Sequence, residues 1–285
     1  MNLRVLLLLG SSLLAGLARP VASQPSYAWL AGPEPGGRLA ERIAPPPGFH
    51  RPPAPARSFG SWLRGLPLFP GRPPVHLYDG RLKGNQEAHV AVVRIDVGAR
   101  DLQQCADAVM RLRAEYLWSR GCAADIDFRL TSGDRAAWID WRSGMRPRVR
   151  GNRVEWRPGE RSDGSYESFR RYLDAVFNWA GSASLEKQLV RVADPSRAES
   201  GDVVIHGGFP GHAVLVVDVA EGPRGERAFL LAQSYMPAQE IQILRNPETP
   251  GSPWYRAAAA GPLPTPEWPF RHEELRRFPA PRSCN

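Results

Sequence analysis

The sequence predicts an α+β domain in which helices come first and an antiparallel β-meander follows. Two observations carry this. One amphipathic stripe runs through Leu102, Cys105, Val109, Leu112, Tyr116 and Leu117, and a second through Tyr166, Phe169, Leu173, Val176, Phe177 and Ala180. After them come two continuous apolar runs of strand length, Val203–Ile205 and Ala213–Val217, separated by a Gly/Pro loop.

In chain order, Met1 to Arg4 is a short basic start, Val5 to Ala18 is apolar, and Val21-Ala22-Ser23 offers small residues for cleavage. Residues 1–23 therefore read as a secretory signal peptide, too short to anchor comfortably in a bilayer. No cysteine follows the apolar run, which argues against a lipoprotein anchor. We expect a periplasmic or secreted protein with no membrane insertion after cleavage. Residues 24–58 are rich in Pro, Gly, Ala and Arg and read as a linker, mobile in its first part. Residues 59–280 are expected to form a single α+β domain, with 59–74 as a packing arm, 123–164 as an insertion and 281–285 as a tail.

Within that domain His89–Val97 alternates and reads as a strand. Asp101–Arg120 is the strongest helix: Asp101 suits the N-cap, Gln104 completes a capping-box pattern, and Gly121 ends it. Ile126–Leu130 and Arg153–Trp156 read as short strands. The second helix covers Tyr166–Ala180, with Gly181 as its stop. The hairpin follows, then a turn at Gly222-Pro223-Arg224-Gly225, a strand over Arg227–Tyr235 and another over Glu240–Leu244. The Pro-rich remainder is expected to wrap the surface.

The formal charge is +8, and about +6 once Arg4 and Arg19 leave with the leader. Nearly all the basic charge is arginine; the only lysines are Lys83 and Lys187. The arginines are scattered rather than clustered with aromatics, so no nucleic-acid partner is expected. A mild positive field would suit an acidic cell-wall polymer.

The chemistry rests on a cysteine and a histidine. Cys105 sits in the first turn of the strong helix, where free N–H groups and the helix dipole favour a thiolate. On that basis the thiol should titrate below the ordinary ~8.5. A buried core cysteine is the bland alternative. Cys105 and Cys122 lie at opposite ends of one helix, about 25 Å apart at 1.5 Å per residue, far beyond the ~7 Å limit for a disulfide. Cys122 and Cys284 could pair if the tail folds back. His212 opens the second apolar strand, so the sheet fixes its backbone while its ring faces a loop, as a general base requires. Counting back from a turn centred near Pro223 places Gln233 opposite His212, or Ser234 if the register slips by one. Gln233 is a polar amide in an apolar strand, and a ring nitrogen of His212 would satisfy it. Gln103, Gln104 and Gln86 are candidate oxyanion donors, and His206 and Trp138 candidate substrate-side residues. A surface loop of packed tryptophans is the plainer account of Trp138. No metal site is expected: His89, His206 and His212 lack ligand spacing. No cofactor motif is present.

Asn85-Gln86-Glu87-Ala88-His89, Asp101-Leu102-Gln103-Gln104-Cys105, Thr131-Ser132-Gly133, Pro210-Gly211-His212-Ala213 and Ala232-Gln233-Ser234-Tyr235-Met236-Pro237-Ala238-Gln239 together resemble the exported bacterial family described as domain of unknown function 4846. The resemblance covers about residues 75–278 and implies no activity. Cys105 at a helix start, Gly201-Asp202 and Gly211-His212 also resemble papain-like cell-wall cysteine hydrolases of the NlpC and CHAP types. Ala106-Asp107 departs from the Ser-Gly that follows the NlpC-type cysteine. This wider resemblance implies a papain-like fold, with a Cys-bearing helix packed on the meander. It implies hydrolysis of an amide or peptide bond, with Cys105 attacking, His212 shuttling the proton and Gln233 orienting the ring. The substrate or partner would be a cell-wall peptide or an exported protein. The alternative is a non-catalytic binding module of the same fold.

Overall fold

The computed structural model describes residues 27–30, 32, 36–282 and 284. The expected signal peptide and the start of the linker lie outside the described residues. Helices α1 (Leu39–Arg42) and α2 (Phe59–Arg64) precede strand β1 (His89–Val92) and the long helix α3 (Cys105–Ser119). Then come β2 (Asp127–Arg129), β3 (Arg135–Ala137), α4 (Trp138–Arg142), and the hairpin of β4 (Met145–Arg150) with β5 (Arg153–Pro158). Helices α5 (Tyr166–Trp179) and α6 (Ser182–Gln188) lead into β6 (Val190–Arg191), β7 (Asp202–His206), β8 (His212–Glu221), β9 (Arg227–Gln233) and β10 (Gln242–Leu244). Short strands β11 (Tyr255–Arg256), β12 (Pro262–Pro264), β13 (Pro269–Arg271) and β14 (Leu275–Arg277) close the chain.

The architecture is mixed α+β around one antiparallel sheet, ordered β1-β10-β9-β8-β7-β14-β6, with β11 also paired to β9. The sheet is buried on both faces, which explains why its central strands read as unbroken apolar runs. Val203, Ile205, Ala213, Leu215 and Val217 point into a core shared with α2, α3 and α5. Val204, Val214, Val216, Phe229 and Leu231 point the other way, against Tyr255, Leu263 and Phe270. Alternate side chains thus serve two cores.

Several sequence expectations need correction. The strong helix starts at Cys105, not near Asp101: Gln104 is the N-cap, and its N–H donates to Asp107 Oδ2 at 3.0 Å. Asp101 instead accepts from the Ala238 N–H at 2.6 Å and from Gln104 Nε2 at 3.1 Å, tying the β9–β10 loop to the helix start. The stretch expected as a linker is packed from its α1 onward. Leu39 is fully buried, and Arg51 with Arg64 clasps the buried Asp218 of β8 at 2.6 and 2.7 Å. The Pro-rich C-terminal part does more than wrap the surface. Its β14 inserts into the sheet beside β7, fixed by Arg277 on Asp202. Helix α6 was not legible, because Ser182–Gln188 is short and nearly stripe-free. Cys122 and Cys284 are disulfide-bonded, with Cα atoms 5.4 Å apart, and Cys105 is the free thiol. Among the described residues no helix is long and apolar enough to cross a membrane.

Candidate functional site

His212 opens β8 and is 1% exposed. Its ring lies among Tyr235, Trp268 and Phe270, with centroids 4.8, 5.5 and 5.5 Å away. Nε2 is 2.9 Å from Gln233 Oε1. The register differs from the simple hairpin count. Leu215 pairs with Ala232, and a bulge interrupts the ladder between Val216 and Asp218. Continued toward the hairpin's open end, this register sets Gln233 beside Val214, diagonal to His212 on the same face. A displacement of two residues preserves the face, so the expected partner is still met. Ser234, one residue on, points to the opposite side, where its hydroxyl proton is shared between the carbonyls of Gln103 and Gln239 and its oxygen accepts from the Gln239 N–H.

The amide of Gln233 has only one workable orientation. Its Nε2 donates to Glu267 Oε2 at 2.5 Å, and Glu267 also takes both oxygens to Lys83 Nζ at 2.7 Å. A carboxylate held by an ammonium accepts hydrogen bonds, so the Gln233 NH2 must face it. Oε1 then faces His212, Nε2 of the ring carries the proton, and Nδ1 is left as the basic nitrogen. Lys83 is 5% exposed, and burial lowers its pKa while Glu267 opposes that shift. Burial also pushes the His212 imidazole down to about 4, against the supporting bond from Gln233.

Cys105 is the first residue of α3, where the N–H has no intrahelical partner. The residue is half-buried, but protein atoms crowd its sulfur. Burial, and then the nearby Asp107 carboxyl, push the thiol up to about 11. The N–H groups of Ala213, Ala106 and Cys105 itself oppose that shift. This overturns the expectation of an acidic thiol: desolvation outweighs the helix terminus. The Ala213 N–H, beside His212, is thus among the groups acting on the thiol, and burial, then the charges of Glu267 and Cys105, raise the Tyr235 pKa. No hydrogen bond joins the Cys105 thiol to His212 among the described residues.

The remaining candidates border this cluster or sit apart from it, and none bonds the His212 ring or the thiol among the described residues. Gln86 is consumed by a structural clasp: its amide bonds both backbone groups of Val75 and the Lys83 carbonyl. Gln104 caps α3, and its side chain is turned to Asp101. His206 is exposed and paired with Glu274 at 2.7 Å, its ring 6.0 Å from Trp268. Trp138 is buried beside Trp118, Phe169 and Tyr172, so it lines no groove. His89 bonds the Pro73 carbonyl, and no three ligating side chains form a metal group among the described residues.

The sequence reading missed Lys83, Glu267, Tyr235, Trp268 and Phe270. Lys83 did carry a signal, as a lysine in a chain that otherwise writes its cations as arginine. Glu267, Trp268 and Phe270 come from a Pro-rich segment with no period to read.

The model of the family described as "Domain of unknown function (4846)" matches residues 39–277. The chain belongs to that family. The match spans both halves of the site, from Lys83 and Cys105 to His212, Gln233 and Glu267. It also begins inside the segment expected to be linker, in agreement with the packed α1. No curated protein and no solved structure matches the chain. This member of domain of unknown function 4846 is therefore read from its own geometry.

Proposed function

We propose that the protein is an exported cysteine hydrolase of papain-like type, cleaving amide or peptide bonds in cell-wall peptides. The observation that carries this is the line Lys83–Glu267–Gln233–His212, which holds one imidazole tautomer with Nδ1 as the base. A buried core histidine needs one hydrogen bond; it does not need its partner's amide locked by an ion pair. Nδ1 is the ring nitrogen nearest the backbone, and the thiol it would serve feels the N–H of Ala213, the residue next to His212.

With thiol and imidazole both neutral at rest, the chemistry is general-base attack. Cys105 Sγ bonds to the substrate carbonyl carbon while its proton moves to Nδ1. The carbonyl π electrons become an oxyanion, to which the Cys105 N–H, with no intrahelical partner at the helix start, would donate. Collapse expels the amine, which takes the proton from Nδ1 and leaves a thioester. Water, deprotonated by the same nitrogen, then releases the acid and regenerates the thiol.

The test is release of new amino groups from peptidoglycan fragments by the purified chain, beside Cys105→Ala and His212→Gln. Wild type should turn over, and both variants should fall at least 100-fold. Equal release by all three would sink the hydrolase reading. The raised thiol favours a second reading, a binding module of the same fold. That reading expects Cys105→Ala to retain cell-wall binding, with no turnover by any form.

A further inference from the structure

Toward the other end of α3, a cavity of about 530 Å3 opens between α3, β2, α6 and the C-terminal segment 278–282. Small-ligand sites typically enclose roughly 300–1,000 Å3. One wall is Arg113, only 8% exposed. Its guanidinium lies over the rings of Phe59, Tyr116 and Phe278 at 5.1, 5.6 and 5.2 Å. Its hydrogen bond is a long one, 3.4 Å to the Pro279 carbonyl, and none of the ion pairs among the described residues includes it. A buried cation with no carboxylate in direct contact is uncommon, because desolvation penalises it, and only the more distant Asp125 carboxylate and the Tyr116 hydroxyl oppose that penalty here. Here that penalty pulls the Arg113 pKa down to about 10.

Most of the charged side chains in the rest of the lining have the same sign. Arg129, Lys187 and Arg282 are exposed at the cavity and form no ion pair among the described residues. Arg129 reaches only the Gly133 carbonyl, at 3.3 Å. The carboxylates present are already engaged. Asp127 is held by Arg135 at 2.5 Å, and Asp125 accepts from the Arg282 N–H at 2.8 Å.

We propose that this cavity binds a compact polyvalent oxyanion, carrying phosphate or carboxylate groups, with Arg113 as its anchor and Arg129, Lys187 and Arg282 around it. The guanidinium fork matches such oxygens two at a time. Arg113 has already lost its water, so an arriving anion meets a field less screened than at an open surface. The proposal does not depend on the Cys105 chemistry. Arg113 stands eight residues, about 12 Å, along the helix from Cys105.

Calorimetric titration of the full chain at low salt tests it, with pyrophosphate and citrate as ligands and acetate as the monovalent control. We expect a saturable site for at least one polyvalent ligand, with Kd below about 1 mM and acetate at least 10-fold weaker. Tighter pyrophosphate identifies a phosphate-bearing ligand; tighter citrate identifies a carboxylate-bearing one. The double variant Arg129→Gln/Lys187→Gln touches only exposed side chains and should still fold, yet weaken binding at least 10-fold. Arg113→Met, which keeps the apolar stem, should remove binding. Absence of saturable binding by both polyvalent ligands, or a double variant that binds like wild type, would overturn the proposal.

Discussion

Gln233 sits between two groups that make opposite demands on its amide. Glu267 requires the NH2 and His212 the carbonyl, so the side chain transmits the orientation set by Lys83 to the ring. Replacing Glu267 by Gln removes that demand and lets the Gln233 amide flip. Glu267→Gln should therefore lower turnover roughly 10-fold without unfolding the protein, as should Gln233→Ala. Gln233→Glu should be worse than its shape suggests, because two carboxylates would meet where one now accepts a hydrogen bond. Ser234→Ala should spare the ring, since its hydroxyl serves the Gln103 and Gln239 carbonyls. Steady-state rates for these variants, each beside its melting temperature, check the set. If Ser234→Ala loses activity while Gln233→Ala keeps it, the assignment of the orienting residue fails.

The thiol gives a second prediction at this scale. Burial holds the proton on Cys105, so the thiolate forms only as pH rises toward about 11. The rate of iodoacetamide alkylation should keep climbing through pH 9 rather than levelling near the ordinary ~8.5. A plateau below pH 8 would mean a thiolate–imidazolium pair at rest.

At the scale of elements, the N-terminal arm is held to the sheet by charge as well as by apolar packing. Asp218 is fully buried and carries both Arg51 and Arg64, whose side chains are 19% and 15% exposed. Removing the carboxylate leaves two guanidinium groups facing a buried site. Asp218→Ala should cost about 2–4 kcal/mol, less than a fully buried pair because both arginines reach some water. Hydrogen exchange should show the loss first in residues 51–64. Unchanged protection there would mean that the apolar contacts of Leu39, Trp62 and Leu63 hold the arm alone. Gly211 shows the same dependence on close approach. A Cβ there would meet Ser182 Oγ at 2.3 Å and the His206 carbonyl oxygen at 2.6 Å. The turn into the His212 strand thus needs a glycine for reasons of space.

Across the whole molecule, the Cys122–Cys284 bridge joins the end of α3 to the last described residue of the chain. It closes a loop spanning 162 residues, so it restricts the unfolded chain strongly. Cys284→Ser should lower the unfolding free energy by about 2–5 kcal/mol, read by denaturant unfolding under oxidising conditions. Stability that does not change would mean that β14 alone secures the C-terminal segment through Arg277 and Asp202.

What the sequence determined by itself is local. The periodicity of the Tyr166 helix, the two apolar strands and the pairing of His212 with Gln233 were all legible. Each depends on residues a few positions apart, or on a single hairpin. The cap of α3 lies three residues beyond the expected Asp101, which has the chemistry of a cap, and only the tertiary contact with Ala238 shows that Asp101 serves another loop. The acidity of Cys105 was misjudged for a related reason. A helix N-terminus is visible in sequence, but the atoms that crowd the sulfur arrive from β8 and the Tyr235 loop. Lys83 and Glu267 stand 184 positions apart, and no pattern within either segment encodes their meeting. The tertiary structure alone decided that meeting, because the free energy of a buried ion pair comes from a desolvated environment that neither residue creates by itself.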